Sequence, residues 1–119
     1  METNSAAKLF EVLSSDTRLE IFRLLVKHAP DGLVAGEIAN ALNMPATNLS
    51  FHLKSILHSG LISVEKEGRY LRYKANIDLM LQVVAFLTKE CCTANSNQCS
   101  QFQTNSKILV GGLPLPGKK

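Results

Sequence analysis

Residues 35–60 read AGEIANALNMPATNLSFHLKSILHSG, and this stretch determines the fold. Apolar side chains recur at helical spacing in two runs within it. The first run is Ala35, Ile38, Ala39 and Leu42, and the second is Leu49, Leu53, Ile56 and Leu57. Asn43-Met44-Pro45 separates the runs, with Pro45 suited to the first turn of a new helix. Gly60 stands where a helix ends in a left-handed cap. Two short helices joined by a tight turn predict a helix-turn-helix unit.

Two further helices are predicted before this segment. The first has an apolar stripe made of Ala6, Leu9, Phe10 and Leu13. Ser14-Ser15-Asp16 interrupts it and supplies capping side chains for a second helix, roughly Asp16 to Lys27. The second helix is apolar around most of its circumference, which indicates a buried central helix. The turn residues Ala29-Pro30-Asp31-Gly32 end it.

The pattern changes from helical to β-like after Gly60. Leu61–Glu65 and Arg69–Lys74 are β-prone runs, and Lys66-Glu67-Gly68 between them is expected to form a hairpin turn. A last helix follows over about Asp78 to Glu90. Its stripe is Met80, Val83, Val84 and Leu87, with Leu79, Leu81, Ala85 and Phe86 elsewhere on the circumference. A helix this apolar predicts packing against another subunit.

The fold class that follows is mainly α (α+β), a winged helix-turn-helix with about five helices and a two-stranded β-hairpin wing. We expect residues 1–92 to form a DNA-binding and dimerisation domain, and residues 93–119 to form a flexible tail that carries the third cysteine.

Composition narrows the class of protein. The chain has 119 residues, 45% of them hydrophobic and 19% charged, which is the size and balance of one globular domain. It has no apolar run long enough to span a bilayer and no signal peptide, so we expect a cytoplasmic protein without a membrane partner. No nucleophile–base pair, phosphate-binding glycine loop or acidic pair is apparent, so we expect no enzymatic activity. The net charge of +3 permits nucleic-acid binding without requiring it.

A DNA-reading surface is predicted from the side chains left outside when the second apolar run faces inward. On the reading helix these candidates are Thr47, Asn48, Ser50, Phe51, His52 and Lys54. The polar members can bond base edges or phosphates, and Phe51 either contacts a thymine methyl or is exposed without a role. On the wing, Lys66, Arg69 and Arg72 lie in a basic cluster with Lys74. These either reach DNA phosphates or the minor groove, or are solvated strand residues.

Three segments carry a family resemblance. They are LSSDTRLEI at 13–21, ATNLSFHLK at 46–54 and EGRYLRY at 67–73. Over about Ala6 to Cys92 the chain resembles the arsenical-resistance repressor (ArsR/SmtB) family. This resemblance implies a homodimer built through the first and last helices, two DNA half-sites, and an effector that lowers DNA affinity.

The chain departs from the family at its familiar sensor sites. Residues 33–38, where many members carry a Cys-Val-Cys motif, contain no cysteine, and the last helix contains no histidine. Ala46 also replaces a polar residue often found at the start of the reading helix. Base specificity therefore does not carry over at that position.

The three cysteines, Cys91, Cys92 and Cys99, lie in one short stretch. Their odd number and close spacing predict reduced thiols rather than a secreted disulfide framework. They resemble the arsenic-responsive branch of the family, whose three thiols follow the last helix. Thiolates select soft ions, and three suit trivalent arsenic, whereas zinc requires a fourth ligand. We therefore expect arsenic(III), or antimony(III), to act as the inducer, and we expect no permanent cofactor.

Ligand geometry predicts a mechanism for release. Neighbouring residues on a helix point about 100° apart, so Cys91 and Cys92 cannot easily share an ion while both are helical. Capture is expected to unwind or redirect the end of the last helix, alter the dimer contact and release operator DNA. The alternatives are a thiol redox switch, a sensor of cadmium or lead, and a protein-interaction module that does not regulate DNA.

Overall fold

The structure is a computed structural model that describes residues 1–91 and 93–94. Over these residues the elements follow in the order α1 (Thr3–Leu13), α2 (Asp16–Lys27), β1 (Leu33–Val34), α3 (Ala35–Leu42), α4 (Ala46–Ser59), β2 (Ile62–Glu67), β3 (Tyr70–Ala75) and α5 (Ile77–Thr88). The predicted winged helix-turn-helix is confirmed. The chain divides into two compact units, one over Met1–Val83 and one beginning at Val84. Apart from Thr93 and Ala94, the predicted tail over 93–119 lies outside the described residues.

Helix α2 begins and ends where the sequence predicts. The Ser15 hydroxyl accepts a hydrogen bond from the backbone N–H of Arg18 at 3.4 Å, and this caps the first turn. Arg18 Nε donates to the carbonyl oxygen of Val12 at 2.6 Å, which fixes α2 against the end of α1. Ile21 and Leu25 are fully buried, whereas Leu19 is 40% exposed. Helix α2 is therefore buried on one side only, whereas its apolar composition predicts burial around most of its circumference.

The core is a single apolar cluster between the helices and the sheet. Its largest fully buried side chains are Ile21, Leu25, Ile38, Leu49, Leu53, Ile56 and Leu61. Burial of such side chains contributes about 1.5–3 kcal/mol each relative to exposure, which makes this cluster the main stabilising feature. The cluster holds α3 and α4 against α2. Phe10 of the predicted α1 stripe lies outside it, at 44% exposed.

The sheet has three antiparallel strands in the order β1-β3-β2, one more than predicted. Residues Leu33 and Val34 pair with Tyr73 and Arg72 of β3. A two-residue strand shows no periodicity, because alternation between two faces needs a longer run. Gly32, just before β1, has φ +76°.

The hairpin turn is also shifted from its predicted place. Lys66 and Glu67 belong to β2, and Glu67 pairs directly with Tyr70. Gly68 and Arg69 therefore form a two-residue loop in which Gly68 has φ +61°. A positive φ at the first loop position is typical of a type II′ turn, whose twist matches that of paired strands.

Helix α5 ends at Thr88, two residues before its predicted end. Leu79, Met80 and Val83 pack against the core cluster, although Leu79 was expected outside the stripe. No residue of α5 is fully buried. No helix among residues 1–91 combines the length and apolarity needed to cross a membrane.

Candidate nucleic-acid interface

The joint between α3 and α4 fixes the direction of the reading helix, α4. Asn43 adopts the left-handed conformation, φ 53° and ψ 55°. The backbone N–H of Met44 donates to the carbonyl oxygen of Ala39 at 3.0 Å, which closes the end of α3. Pro45 directly precedes α4 as its N-cap, rather than lying within its first turn as predicted. The joint is thus three residues long, and its first two residues are hydrogen bonded to α3.

The outer face of α4 carries the residues predicted to read DNA. Leu49, Leu53 and Ile56 are buried. The candidates on the opposite side, Thr47, Asn48, Ser50, Phe51 and Lys54, are all exposed. Phe51 is 68% exposed, the largest value among the exposed large hydrophobic side chains of the described residues. Its ring is therefore accessible to a partner in front of the helix.

His52 lies at the edge of this face and is half-buried. Its ring meets that of Phe51 edge-on, with centroids 5.6 Å apart and an interplanar angle of 71°. The Nδ1 atom is buried and has no hydrogen-bond partner among the residues that the structure describes. His52 therefore packs against Phe51, and a DNA contact by His52 stays a prediction.

The wing hairpin has two chemically different faces. Strand register places Glu65 opposite Arg72 and Glu67 opposite Tyr70. On this face Arg72 Nε lies 2.9 Å from Glu67 Oε2, and Lys74 Nζ lies 3.0 Å from Glu65 Oε1. Two of the four basic side chains of the wing are therefore neutralised by acids of the wing itself.

The other two basic side chains lie nearer the tip. Lys66 pairs with Leu71 on the opposite face, and Arg69 lies in the turn. Both are exposed, and within the described residues neither makes an ion pair. Lys66 and Arg69 thus remain available to an external anion.

Arg72, also predicted to contact DNA, makes its contacts with other residues of the chain. Its Nη1 donates to the carbonyl oxygen of Gly32 at 3.2 Å, in addition to the ion pair with Glu67. The hydrogen bond to Glu67 raises the pKa of Arg72 above its ordinary value and outweighs the opposing effect of desolvation; the carboxylates of Glu37 and Asp31 act in the same direction as Glu67. A DNA contact by Arg72 stays a prediction. The roles of Glu67 and Gly32 could not be found from the sequence, because they depend on strand register and on a contact across 40 residues.

The predicted thiol site lies only partly within the described residues. Cys91 is exposed, and its backbone N–H donates to the carbonyl oxygen of Thr88 at 2.9 Å. It therefore lies in a turn after α5 and not on the helix. This agrees with the predicted helix end at about Glu90. Cys92 and Cys99 lie outside the described residues. Within residues 1–91 and 93–94, no three His, Cys, Asp or Glu side chains lie close enough together to hold a metal ion.

A family model described as "Helix-turn-helix domain" matches residues 13–65. The chain is 31% identical over 83 residues to a cadmium resistance transcriptional regulatory protein CadC homolog of Staphylococcus aureus, covering 68% of this chain and 67% of that protein. Three other curated bacterial regulators match at 32–40% identity, and the chain spans 29–59% of their lengths.

Solved structures share the fold. An ArsR-like transcriptional regulator from Rhodococcus sp. RHA1 superposes with a TM-score of 0.64 at 24% identity, covering 88% of this chain and 92% of that one. The homodimeric winged helix-turn-helix DNA-binding domain of Mb0332 from Mycobacterium bovis superposes with a TM-score of 0.57 at 24% identity, covering 74% and 82%.

The helix order, the exposed reading helix and the hairpin define a winged helix-turn-helix protein. Within that class, the chain belongs to the ArsR family of transcriptional regulators.

Proposed function

We propose that this protein is a repressor that binds operator DNA as a dimer and dissociates from it when arsenic(III) binds Cys91, Cys92 and Cys99. The observation that carries the proposal is the position of Cys91, exposed just after α5 in a chain of this family. The cytoplasm, where the DNA target lies, would be its place of action.

DNA recognition is assigned to α4 and the tip of the wing. Thr47, Asn48 and Ser50 lie near the helix N-terminus, where short polar groups reach base edges or phosphates. Phe51 has the exposure needed to contact a thymine methyl. Lys54, Lys66 and Arg69 supply positive charge toward the phosphates.

Dimerisation is assigned to the first and last helices. Phe10 of α1 is 44% exposed and Leu87 of α5 is 61% exposed, which is typical of side chains that a partner subunit covers. The homodimeric Mb0332 domain has the same fold. A dimer would present two reading helices to two half-sites one helical turn of DNA apart.

Three thiolates suit the proposed inducer in charge as well as number. They balance the charge of a trivalent ion, so the bound site is neutral beside the negative end of a helix. All three would come from one subunit, because the cysteines span only residues 91–99.

The shorter α5 changes the proposed route of release. Because Cys91 already lies in a turn, capture of the ion need not unwind a helical residue. It would instead reorganise the turn at residues 89–91, where the carbonyl oxygen of Glu90 accepts a hydrogen bond from the backbone N–H of Thr93 at 3.2 Å. That turn directly follows the proposed dimer helix, so its rearrangement would change the spacing of the two reading helices. A coupling free energy of about 1–3 kcal/mol would be enough to lower DNA affinity severalfold to about a hundredfold.

Cadmium is the second candidate inducer, favoured by the relative named for cadmium resistance. Cadmium is also a soft ion that binds thiolates. A disulfide between Cys99 and Cys91 or Cys92 is the redox alternative.

The test begins with a duplex selected by the purified protein from a random DNA library. Gel shift on that duplex is then repeated with arsenite, cadmium chloride or hydrogen peroxide. We expect arsenite to release the DNA at the lowest concentration. Release by cadmium alone would identify a cadmium sensor, and release by peroxide alone would identify a redox switch. Selection of no duplex would favour the interaction module.

Single Cys→Ser variants provide the matched test of the ligands. Cys99→Ser is expected to raise the arsenite concentration for half-release by at least about tenfold, equivalent to about 1.4 kcal/mol, because one of three ligands is lost. Its DNA affinity without arsenite should equal that of the wild type. A variant lacking all three cysteines that still responds to arsenite would contradict the proposal.

A further inference from the structure

The Arg72 guanidinium joins three segments of the chain. It lies on β3, pairs with Glu67 of β2 at 2.9 Å, and donates to the carbonyl oxygen of Gly32 at 3.2 Å. Gly32 precedes β1, and Val34, the second residue of that strand, pairs with Arg72 itself. One planar cation therefore connects both wing strands to the segment that leads into the helix-turn-helix.

This segment passes directly into α3. The Glu37 carboxylate accepts a hydrogen bond from the backbone N–H of Val34 at 3.0 Å, which fixes β1 to the first turn of that helix. The series of contacts from Glu67 through Arg72 and Gly32 to α3 thus relates the wing to the unit that carries the reading helix.

The second ion pair of the wing has no such connection. Lys74 pairs with Glu65 across the two wing strands, and within the described residues no hydrogen bond joins its ammonium group to β1. The two pairs share one face, one strand register and the same charges. They differ in whether the cation also contacts the segment before α3.

We propose that Arg72 is a positioning residue that sets the wing relative to the helix-turn-helix, so that Lys66 and Arg69 reach DNA while α4 occupies the major groove. The inference rests on the proposed DNA-binding function and assigns Arg72 no DNA contact of its own. Arginine suits this role because its planar fork donates in two directions at once, whereas the ammonium of lysine is a compact point charge. The β1–β3 ladder is only two residues long, and Arg72 adds a side-chain link between the wing and the segment before β1.

Glu67→Gln provides the sharpest test. If Glu67 were only a surface acid near DNA, its neutralisation would strengthen binding by removing repulsion from phosphates. If Glu67 holds Arg72, its neutralisation will weaken binding to the selected duplex by about twofold to fivefold, the range of an exposed ion pair. Glu65→Gln is the matched control and should leave affinity equal or increased. Equal or tighter binding by Glu67→Gln would overturn the role.

Two Arg72 variants separate positioning from a phosphate contact. Arg72→Lys keeps the charge but loses the fork, and should weaken binding as much as Glu67→Gln does. In a protein that already carries Lys66→Gln and Arg69→Gln, Arg72→Gln should leave the slope of log affinity against log salt unchanged, because the contacts that Arg72 positions are already gone. Loss of a phosphate contact made by Arg72 itself would reduce that slope further, by about 0.9. A reduced slope, or normal binding by Arg72→Lys, would contradict the proposal. Combining Arg72→Gln with Glu67→Gln should add no further loss, because both remove the same interaction.

Thermal unfolding of each variant should stay close to that of the wild type, because these side chains lie at the surface. If the wild-type protein binds no duplex, both the proposed function and this inference are contradicted. If the wild type binds DNA and Glu67→Gln binds it equally well, only the inference about Arg72 is contradicted. Failure of arsenite to release the wild type would affect only the assigned inducer.

Discussion

Gly32 adopts a backbone conformation that the neighbouring strand imposes. Its φ of +76° lies in the left-handed region, and a Cβ atom there would overlap the carbonyl oxygen of Tyr73. The sequence identified this glycine as part of a turn. It could not show the second reason for glycine, because Tyr73 lies far along the chain and comes close only when β1 pairs with β3.

Gly32→Ala is expected to lower the free energy of unfolding by about 2 kcal/mol or more, because it adds left-handed strain and a clash with backbone. Urea denaturation monitored by circular dichroism measures the change. Gly36→Ala is the control: no atom lies within 4 Å of its added Cβ, and Gly36 is in α3. That substitution should stabilise the protein by about 0.5–1 kcal/mol. Equal effects of the two changes would contradict the assigned strain.

At the scale of elements, local signals predict the structure well where they are complete within a few residues. Helix α2 has a capping serine, an apolar stripe and a turn that ends it, and its predicted bounds match. Gly60 has the predicted left-handed conformation, at φ 90°. The hairpin turn was misplaced because Lys66-Glu67-Gly68 and Gly68-Arg69 are both acceptable turns. The pairing of Glu67 with Tyr70 decides between them.

The wing's basic cluster illustrates what sequence alone cannot assign. Lys66, Arg69, Arg72 and Lys74 are equivalent by charge and proximity. Their acids, Glu65 and Glu67, are visible in the sequence, but which cation each one neutralises depends on the register of β2 and β3. The structure leaves Lys66 and Arg69 as the basic side chains of the wing that lack an ion pair within the described residues.

Lys66→Gln combined with Arg69→Gln should reduce the salt dependence of DNA binding. Each lost phosphate contact lowers the slope of log affinity against log salt by about 0.9. The slope is measured by fluorescence anisotropy on the selected duplex. Lys74→Gln removes the same kind of charge from the same hairpin, but from an ion pair, and should leave the slope unchanged. An unchanged slope in the double variant would exclude the wing from phosphate binding.

At the scale of the whole molecule, the proposed dimer accounts for apolar side chains that the single chain leaves exposed. Phe10 belongs to the apolar stripe predicted for α1, and it is 44% exposed. Periodicity identifies an apolar face but does not say whether the chain itself or a second copy covers it. The same ambiguity applies to α5, in which no side chain is fully buried.

Phe10→Glu is expected to raise the dimer dissociation constant by roughly tenfold or more, because it places a charge at an apolar contact. Sedimentation velocity over a range of concentrations measures the shift. Leu71→Glu adds the same charge at an exposed apolar site on the wing and should leave the oligomeric state unchanged. A Phe10→Glu protein that dimerises normally would place the subunit contact elsewhere.

The joint at Asn43 bears on the thermodynamics of recognition. Asn43 is already confined to one conformational basin, and its own N–H and that of Met44 donate to the carbonyl oxygens of Asn40 and Ala39. It therefore has little freedom left to lose when a ligand arrives. The reading helix α4 is thus held in a fixed direction before it enters the major groove of DNA. Lengthening this joint with flexible residues would increase the conformational entropy that is lost on binding. DNA association would then weaken although every atom that touches the duplex stayed the same.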